Sequence, residues 1–140
     1  MSDLNMESGS RKTIQLGIVS PSALLYESDV SYVQIPLHDG LIGVLPGHAP
    51  YVSILGFGVL TLNDEIGVSR FVIDGGFVEI TPERITVLAN HGENLEKVDF
   101  EAAQRDYDEV LQMSATGEVE MQRLQDRLQA ARTRLAWKGR

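Results

Sequence analysis

The 140-residue chain contains no cysteine, which excludes disulfide frameworks, thiolate metal sites and cysteine nucleophiles. Its apolar runs are too short to span a bilayer and no signal peptide precedes them, so we expect a soluble cytosolic protein without direct insertion into lipid. Basic residues are few: 12 Lys and Arg stand against 20 Asp and Glu, for a net charge of −8. Such an acidic average field repels polyanions and argues against general nucleic-acid binding.

Motifs of the common catalytic and metal sites are also missing. His38, His48 and His91 form no HxxxH or HExxH pair, so we predict neither a metal site nor a cofactor. A catalytic group of His48 with Asp39 or Asp74 is conceivable, because turns often present functional side chains. No GxSxG, Walker loop or GxGxxG accompanies it, and we favour turn and surface roles for these residues. The preferred class is a noncatalytic protein, and a small hydrolase is one alternative.

Charge is distributed unevenly along the chain. Residues 1–117 carry 6 basic and 17 acidic side chains, a balance of −11, whereas residues 118–140 carry 6 basic and 3 acidic, a balance of +3. An acidic body followed by a small basic tail indicates two parts with different roles.

The first part has the period-two pattern of β-strands. Residues 1–12 are polar without periodicity and predict a flexible segment, after which Ile14, Leu16 and Ile18 alternate with other residues. Pro36 predicts an edge strand or a bulge near residues 33–37. Short apolar stretches follow at residues 51–55, 59–62, 71–73, 77–80 and 85–89. We place turns at Pro46-Gly47, Gly56, Asn63-Asp64, Asp74-Gly75-Gly76 and Pro82-Glu83-Arg84. Residues 13–92 therefore predict an antiparallel β-sandwich or barrel.

Helical spacing replaces this alternation in residues 97–138. Asp99 can cap a first helix, whose apolar residues are Phe100, Ala103, Tyr107, Val110 and Leu111. Gly117 is a plausible break, and a second helix is predicted from about Glu118 to Trp137. Two helices joined by a few residues predict an antiparallel helical hairpin, so the fold class is α+β.

The second helix carries an apolar stripe and a basic border. The stripe consists of Met121, Leu124, Leu128, Ala131 and Leu135. The border consists of Arg123, Arg127, Arg134 and Lys138, which fall within a sector of about 60°. One interpretation is a hairpin seam flanked by snorkelling side chains. The other is a detachable helix that presents basic residues to an acidic partner surface.

Residues 40–50, GLIGVLPGHAP, form the most informative segment. We predict a loop in which glycines allow positive φ or close approach and prolines add stiffness. Its apolar residues are candidates for a partner contact. Together with GGFVEI at residues 75–80 and ITVLA at residues 85–89, the segment closely resembles the epsilon subunit of rotary F-type ATP synthases. The resemblance runs from about Thr13 to the C-terminus; a generic interaction module is the other alternative.

The resemblance implies a sandwich followed by a hairpin, and noncatalytic work in the central rotor stalk. It implies contact of the β body with the gamma subunit and the c ring, through Gly40, Leu41, Ile42, Gly43 and His48. Relatives often carry a polar or acidic residue where this chain has Leu41, so the expectation there is either an apolar contact with the partner or burial of Leu41 within the sandwich. It also implies a hairpin with two states, one folded against the sandwich and one extended along gamma toward the alpha and beta subunits. The extended state is the one that inhibits ATP hydrolysis, and Arg123, Arg127, Arg134 and Lys138 are its basic residues.

The resemblance further implies a location on the cytoplasmic face of the bacterial inner membrane, as a peripheral subunit, or alternatively on the stromal face of a thylakoid. Some relatives bind ATP through a motif similar to Ile/Leu-Asp-x-x-Arg-Ala. The matching stretch here is VDFEAA at residues 98–103, in which Ala102 replaces the arginine. Loss of that cation beside Glu101 predicts substantially weaker nucleotide binding, with no ATP binding of millimolar or better affinity, and Asp99 is left as a remnant that serves as a helix cap.

Overall fold

Eight strands and two α-helices are formed over residues 12–140, the part of the chain that the computed structural model describes. The predicted flexible segment 1–12 lies, except for Lys12, outside the described residues. The strands are β1 (Ile14–Ser20), β2 (Ala23–Val30), β3 (Tyr32–Leu37), β4 (Gly40–Val44), β5 (Tyr51–Asn63), β6 (Val68–Ile80), β7 (Arg84–Ala89) and β8 (Gly92–Asn94). The helices are α1 (Phe100–Leu111) and α2 (Glu118–Leu135), preceded by a 3₁₀ turn, Leu95–Lys97.

The chain divides between Asn94 and Leu95 into two units. The β unit holds the strands, and the helical unit holds α1 and α2, which pack against each other as a hairpin. The predicted α+β fold class is therefore confirmed. Within residues 12–140, none of the helices has the length and apolar character needed to cross a membrane.

The sheet of the β unit has the strand order β2-β1-β7-β6-β5-β3-β4, and β8 pairs with β6. Neighbouring strands are antiparallel, as predicted, except that β1 and β7 run parallel with Leu16 opposite Ile85. Because these two strands are far apart along the chain, no short hairpin constrains their relative direction.

The two central strands are longer than predicted. β5 joins the stretches at residues 51–55 and 59–62, and β6 joins those at 71–73 and 77–80. The turns predicted at Gly56 and at Asp74-Gly75-Gly76 are therefore wrong. Gly56 lies inside β5, and Gly75 and Gly76 lie inside β6. At Gly75 and Gly76, β6 stops pairing with β8 and begins to pair with β7. Glycine is used there because it tolerates the backbone conformation and the close approach that this exchange requires.

The core-facing positions of β6 also change at these glycines. Phe71 and Ile73 belong to the core cluster before them, and Val78 and Ile80 belong to it after them, so the cluster positions pass from odd to even residues. In one half of the β5–β6 pair, β6 pairs with β7, and the sheet continues through β1 to β2. In the other half, β6 pairs with β8 and β5 pairs with β3. This is how two layers are built around one core.

The core lies between those layers. Ile14, Leu16 and Ile18 of β1 are buried, as their alternation predicts. They belong to one cluster with Val30, Val33, Ile35, Val44, Leu55, Leu60, Leu62, Phe71, Ile73, Val78, Ile80, Ile85, Val87 and Ala89. This packing makes the β unit a rigid support for whatever its loops and outer faces carry.

Pro36 lies at a bulge, one of the two positions predicted for it. The register between β3 and β5 shifts between Gln34 and Leu37, which accommodates a residue without a backbone N–H. The edge-strand alternative is wrong, because β4 pairs with the other side of β3. Gly58 provides the space, since a Cβ at that position would lie 2.7 Å from the Cβ of Pro36.

A hydrogen bond ties β2 to the turn that joins β5 and β6. The Tyr26 hydroxyl donates to the Asp64 carboxylate at 2.8 Å, and Asp64 also accepts from the amides of Ile66 and Gly67. Burial, followed by the bond to Asp64, raises the pKa of Tyr26 to about 12. The bonds from Tyr26 and from the Gly67 amide lower the pKa of Asp64.

A raised pKa means that folding favours the protonated phenol. The stabilisation from Tyr26 is therefore complete below its ordinary pKa of 10.0 and is lost as the pH rises toward about 12. We expect an absorbance titration, corrected with Tyr26→Phe, to give a midpoint near 12 for this residue. Asp64→Asn should lower the midpoint without restoring the ordinary value, because burial remains. A midpoint near 10 in the wild type would contradict this contact.

The exchange of neighbours at Gly76 can be tested by substitution. Gly76 has a φ of +127°, and a Cβ there would lie 2.1 Å from the Leu88 carbonyl oxygen. Gly76→Ala should lower the free energy of unfolding by about 3 kcal/mol, because it adds a backbone clash to conformational strain. Gly67 also has a positive φ, +148°, but a Cβ added there would meet nothing within 4 Å.

Gly67→Ala is therefore the matched control and should cost only about 1 kcal/mol. Urea unfolding of both variants measures the difference. Equal costs would mean that the backbone at Gly76 is not held against β7.

Candidate partner-binding surfaces

The glycine-rich segment at residues 40–50 is part strand and part loop. β4 occupies Gly40–Val44 and pairs with β3, with Ile42 opposite Ile35. The prediction of a loop over the whole segment is therefore wrong. The reason is that Val44 is fully buried and Ile42 packs against the core, so alternate residues tie this part of the segment to the sheet.

Two leucines of this segment point away from the core. Leu41 is 62% exposed and Leu45 is 60% exposed. Gly40 and Gly43, which precede and follow the Leu41-Ile42 pair, are exposed as well. We call residues 40–48 the contact loop, because they present apolar side chains on a backbone that the sheet holds in place.

Backbone hydrogen bonds hold the end of the contact loop. The Gly47 amide donates to the Pro82 carbonyl at 3.1 Å, and the His48 amide donates to the Leu45 carbonyl at 3.2 Å. Gly47 has a φ of +83°, a conformation that favours glycine. Nδ1 of His48 lies 2.6 Å from the Ala49 carbonyl oxygen. Since a carbonyl only accepts, Nδ1 is the donor of this bond.

The conceivable catalytic residues have separate local partners. His48 is bonded to the neighbouring Ala49. The carboxylate of Asp39 lies 4.0 Å from Nδ1 of the adjacent His38, and Asp74 is a buried residue of β6. Over residues 12–140, His, Asp and Glu nowhere form a group of three or more that could hold a metal ion.

In the helical unit, Arg127 of α2 bridges to α1. Its guanidinium donates to the Asp106 carboxylate and lies 3.8 Å from a Glu109 oxygen. It also contacts the Met113 sulfur at 3.5 Å. The hydrogen bond to Asp106 raises the pKa of Arg127. Since Arg127 and Asp106 are both more than a third exposed, the pair contributes about 0.5 kcal/mol at most.

The other residues of the basic border differ in exposure. Arg134 is only 8% exposed, and one of its guanidinium nitrogens donates to the Ala130 carbonyl at 3.0 Å. Arg123 and Lys138 are exposed. The border therefore contains two residues engaged within the hairpin and two that face solvent.

The apolar stripe of α2 is also only partly buried. Ala131 is buried, Leu124, Leu128 and Leu135 are half-buried, and Met121 is 47% exposed. The helix ends at Leu135, two residues before the predicted end at Trp137. Tighter turns follow, in which the Trp137 amide donates to the Arg134 carbonyl at 3.0 Å.

Asp99 caps α1, as predicted. Its side chain accepts a hydrogen bond from the Ala102 amide at 3.0 Å. This satisfies one of the amides that the first helical turn leaves unpaired. The Asp99 carboxylate is therefore already hydrogen-bonded to the first turn of α1.

Loss of this cap should weaken the helical unit. We expect Asp99→Ala to destabilise it by about 1 kcal/mol, whereas Asp99→Asn, which keeps an accepting oxygen, should cost less. Hydrogen exchange at the Ala102 amide is the direct readout and should accelerate most in the alanine variant. Saturable ATP binding by the wild-type chain that Asp99→Ala abolishes would show instead that the carboxylate serves a nucleotide.

Known proteins are similar to this chain in sequence and in fold. The family model described as "ATP synthase, Delta/Epsilon chain, beta-sandwich domain" matches residues 13–95, more than half of the chain. The chain therefore belongs to the ATP synthase delta/epsilon family, and the resemblance found in the sequence is confirmed.

Individual relatives agree with this assignment. The chain is 39% identical over 105 residues to the ATP synthase epsilon chain of Pelotomaculum thermopropionicum, covering 73% of this chain and 78% of the relative. It is 30% identical over 125 residues to the cyanelle ATP synthase epsilon chain of Cyanophora paradoxa, covering 88% and 95%. Both relatives are matched over most of their length.

Two solved structures share the fold. A chain of the Euglena gracilis mitochondrial ATP synthase (OSCP/F1/c-ring) superposes with a TM-score of 0.76 at 23% identity, over 89% of this chain and 81% of that one. A chain of the Tetrahymena thermophila mitochondrial ATP synthase central stalk and c-ring gives 0.63 at 11% identity, over 88% and 94%.

Proposed function

We propose that this chain is a noncatalytic epsilon subunit in the central rotor stalk of an F-type ATP synthase. In that role it couples ion flow through the c ring to ATP synthesis. The observation that carries the proposal is the family match over residues 13–95, which spans almost all of the described β unit. The packed core beneath the contact loop supports the proposal further, because a rotor subunit that transmits torque needs a contact surface with a rigid backbone.

The contact loop is the surface that we assign to the c ring and the gamma subunit. Leu41 and Leu45 are both about 60% exposed and lie on a backbone fixed by β3 and by the bond to Pro82. Apolar burial would stabilise this contact in place of an ion pair. Gly40, Gly43 and His48 shape the loop, and Ile42 anchors it to the core.

The helical unit is the part to which we assign regulation. Two exposed residues of its basic border, Arg123 and Lys138, suit an acidic surface on the alpha or beta subunits. Arg127 could join them only after leaving Asp106 of α1. Inhibition of hydrolysis therefore depends on a difference in affinity: how much more tightly the complex binds an extended hairpin than the hairpin in which α1 and α2 pack together.

A peripheral position on the cytoplasmic face of the bacterial inner membrane follows from this role. The similarity to the epsilon chain of Pelotomaculum thermopropionicum favours that location. The stromal face of a thylakoid is the second location, and the similarity to a cyanelle chain favours it.

Reconstitution tests the proposal. The purified chain should rebind an ATP synthase core that lacks this subunit and should change its rate of ATP hydrolysis. Rebinding without any effect on hydrolysis would contradict the regulatory part alone. Failure to bind a stalk of gamma and c ring would contradict the function itself and favour a module of another assembly.

The same assay tests the basic residues. Arg123→Ala with Lys138→Ala should shift the ratio of inhibited to active enzyme roughly fivefold toward active, at about 0.5 kcal/mol for each exposed ion pair. Arg132→Ala is the matched control, because this exposed arginine lies on the opposite side of α2. Unchanged hydrolysis in the double variant, or equal relief by Arg132→Ala, would refute the electrostatic role.

A further inference from the structure

Two Asp-Gly pairs occur in the sequence, Asp39-Gly40 and Asp74-Gly75. An aspartate followed by glycine is open to a slow rearrangement of the main chain, because glycine has no side chain to shield its amide nitrogen from the preceding carboxyl group. The rate of the rearrangement depends on how freely the segment moves. The two pairs have opposite surroundings in this respect.

Asp39-Gly40 lies in an open turn. The turn consists of His38 and Asp39, joins β3 to β4, and is closed by the cross-strand partners Leu37 and Gly40. The Asp39 side chain is 69% exposed. A Cβ added at Gly40 would meet nothing within 4 Å, so the turn has room for a ring that joins the carboxyl group to the Gly40 amide nitrogen.

The neighbouring histidine places a hydrogen-bond donor beside this carboxyl group. Nδ1 of His38 lies 3.2 Å from the Ile54 carbonyl oxygen and 4.0 Å from an Asp39 carboxylate oxygen. Since a carbonyl only accepts, Nδ1 carries a proton. A small movement of the turn therefore brings a donor to the oxygen that has to leave during ring closure.

Asp74-Gly75 is enclosed by its neighbours. Asp74 is only 8% exposed inside β6, and its amide donates to the His91 carbonyl at 2.9 Å. The Gly75 carbonyl accepts from the Asn90 amide at 2.9 Å, and a Cβ at Gly75 would lie 3.1 Å from Nδ2 of Asn90. Ring closure there requires β6 to separate from these residues, so this pair is an internal control.

We propose that Asp39 is a site of spontaneous isoaspartate formation. The Gly40 amide nitrogen attacks Cγ of the protonated Asp39 carboxyl group, the N–Cγ bond forms, and the Cγ–OH bond breaks. The hydroxyl leaves with the amide proton as water, and a succinimide ring remains. Water then attacks the main-chain carbonyl carbon of Asp39 and breaks its bond to the nitrogen. The hydroxyl stays on that carbon, the proton goes to the nitrogen, and the main chain now runs through Cγ.

The rearrangement lengthens the main chain by a methylene group at the base of the contact loop. Leu37 and Gly40 are paired across the turn, and the His38 amide is bonded to the Ile54 carbonyl at 3.0 Å. The added length therefore shifts Gly40 and, with it, the exposed side chain of Leu41. The modification is a property of the chain alone, whereas its consequence, weaker docking, rests on the proposed function of the contact loop.

Incubation of the full-length chain in warm neutral buffer tests the modification. Peptide mapping and methylation by an isoaspartyl methyltransferase measure the product at each pair. Isoaspartate should accumulate at position 39 at least about tenfold faster than at position 74, because the enclosed pair reacts only when its strand opens. Asp39→Glu should abolish the product at position 39, because the longer side chain closes a less favourable ring. Equal rates at the two pairs, or no isoaspartate at position 39, would overturn the proposal.

Binding to a gamma–c-ring stalk lacking this subunit tests the consequence. The isoaspartate form, separated by chromatography, should show a Kd at least about tenfold higher than the fresh chain, since displacement of an apolar anchor weakens an interface. Repair by the methyltransferase with S-adenosylmethionine should restore the Kd. Incubated Asp39→Glu is the matched control and should stay within about twofold of the fresh wild type. Circular dichroism melts confirm that each form is folded.

The outcomes separate the two claims. An unchanged Kd for the isoaspartate form would overturn the consequence and leave the rotor function intact. No binding by the fresh wild type would overturn the proposed function and the consequence together, and isoaspartate at position 39 would then support the modification alone.

Discussion

The close approach of the β6 backbone to β7 at Gly76 is the constraint on which the β unit depends. A side chain there would collide with the Leu88 carbonyl oxygen, so this contact exists only because the position is glycine. It lets β6 pair with β8 at one end and β7 at the other. Both layers then share one core, and that core supports the contact loop at one end. The residue after Gly76, Phe77, is turned outward and lies beside Leu88 on the outer face.

The two units differ in what holds them together. The β unit is stabilised by a continuous apolar core, whose loss would cost many kcal/mol. The hairpin has a seam of half-buried leucines and an ion pair between Arg127 and Asp106, whose side chains are both more than a third exposed. Such contacts are individually weak and can be exchanged for others. A rigid unit for transmitting force and a rearrangeable unit for regulation are therefore consistent with one rotor subunit.

Sequence reasoning succeeded where the signal is local. The alternation of Ile14, Leu16 and Ile18 and the cap at Asp99 each depend on neighbours within a few residues. It failed at Gly56 and Gly76, because glycine signals a turn and a close approach equally well. The engagement of Arg127 depends on α1, which a helical projection of α2 does not contain.

The account's central claim, that the contact loop is the surface through which the stalk holds the β unit, is tested most directly by footprinting. Because the chain has no cysteine, Leu41→Cys and Glu65→Cys each introduce one reactive thiol. Maleimide labelling is then compared for the free chain and the chain bound to the gamma–c-ring stalk. The account predicts that binding slows labelling at position 41 at least about tenfold and leaves position 65 unchanged. Unchanged labelling at position 41, or equal slowing at position 65, would contradict it.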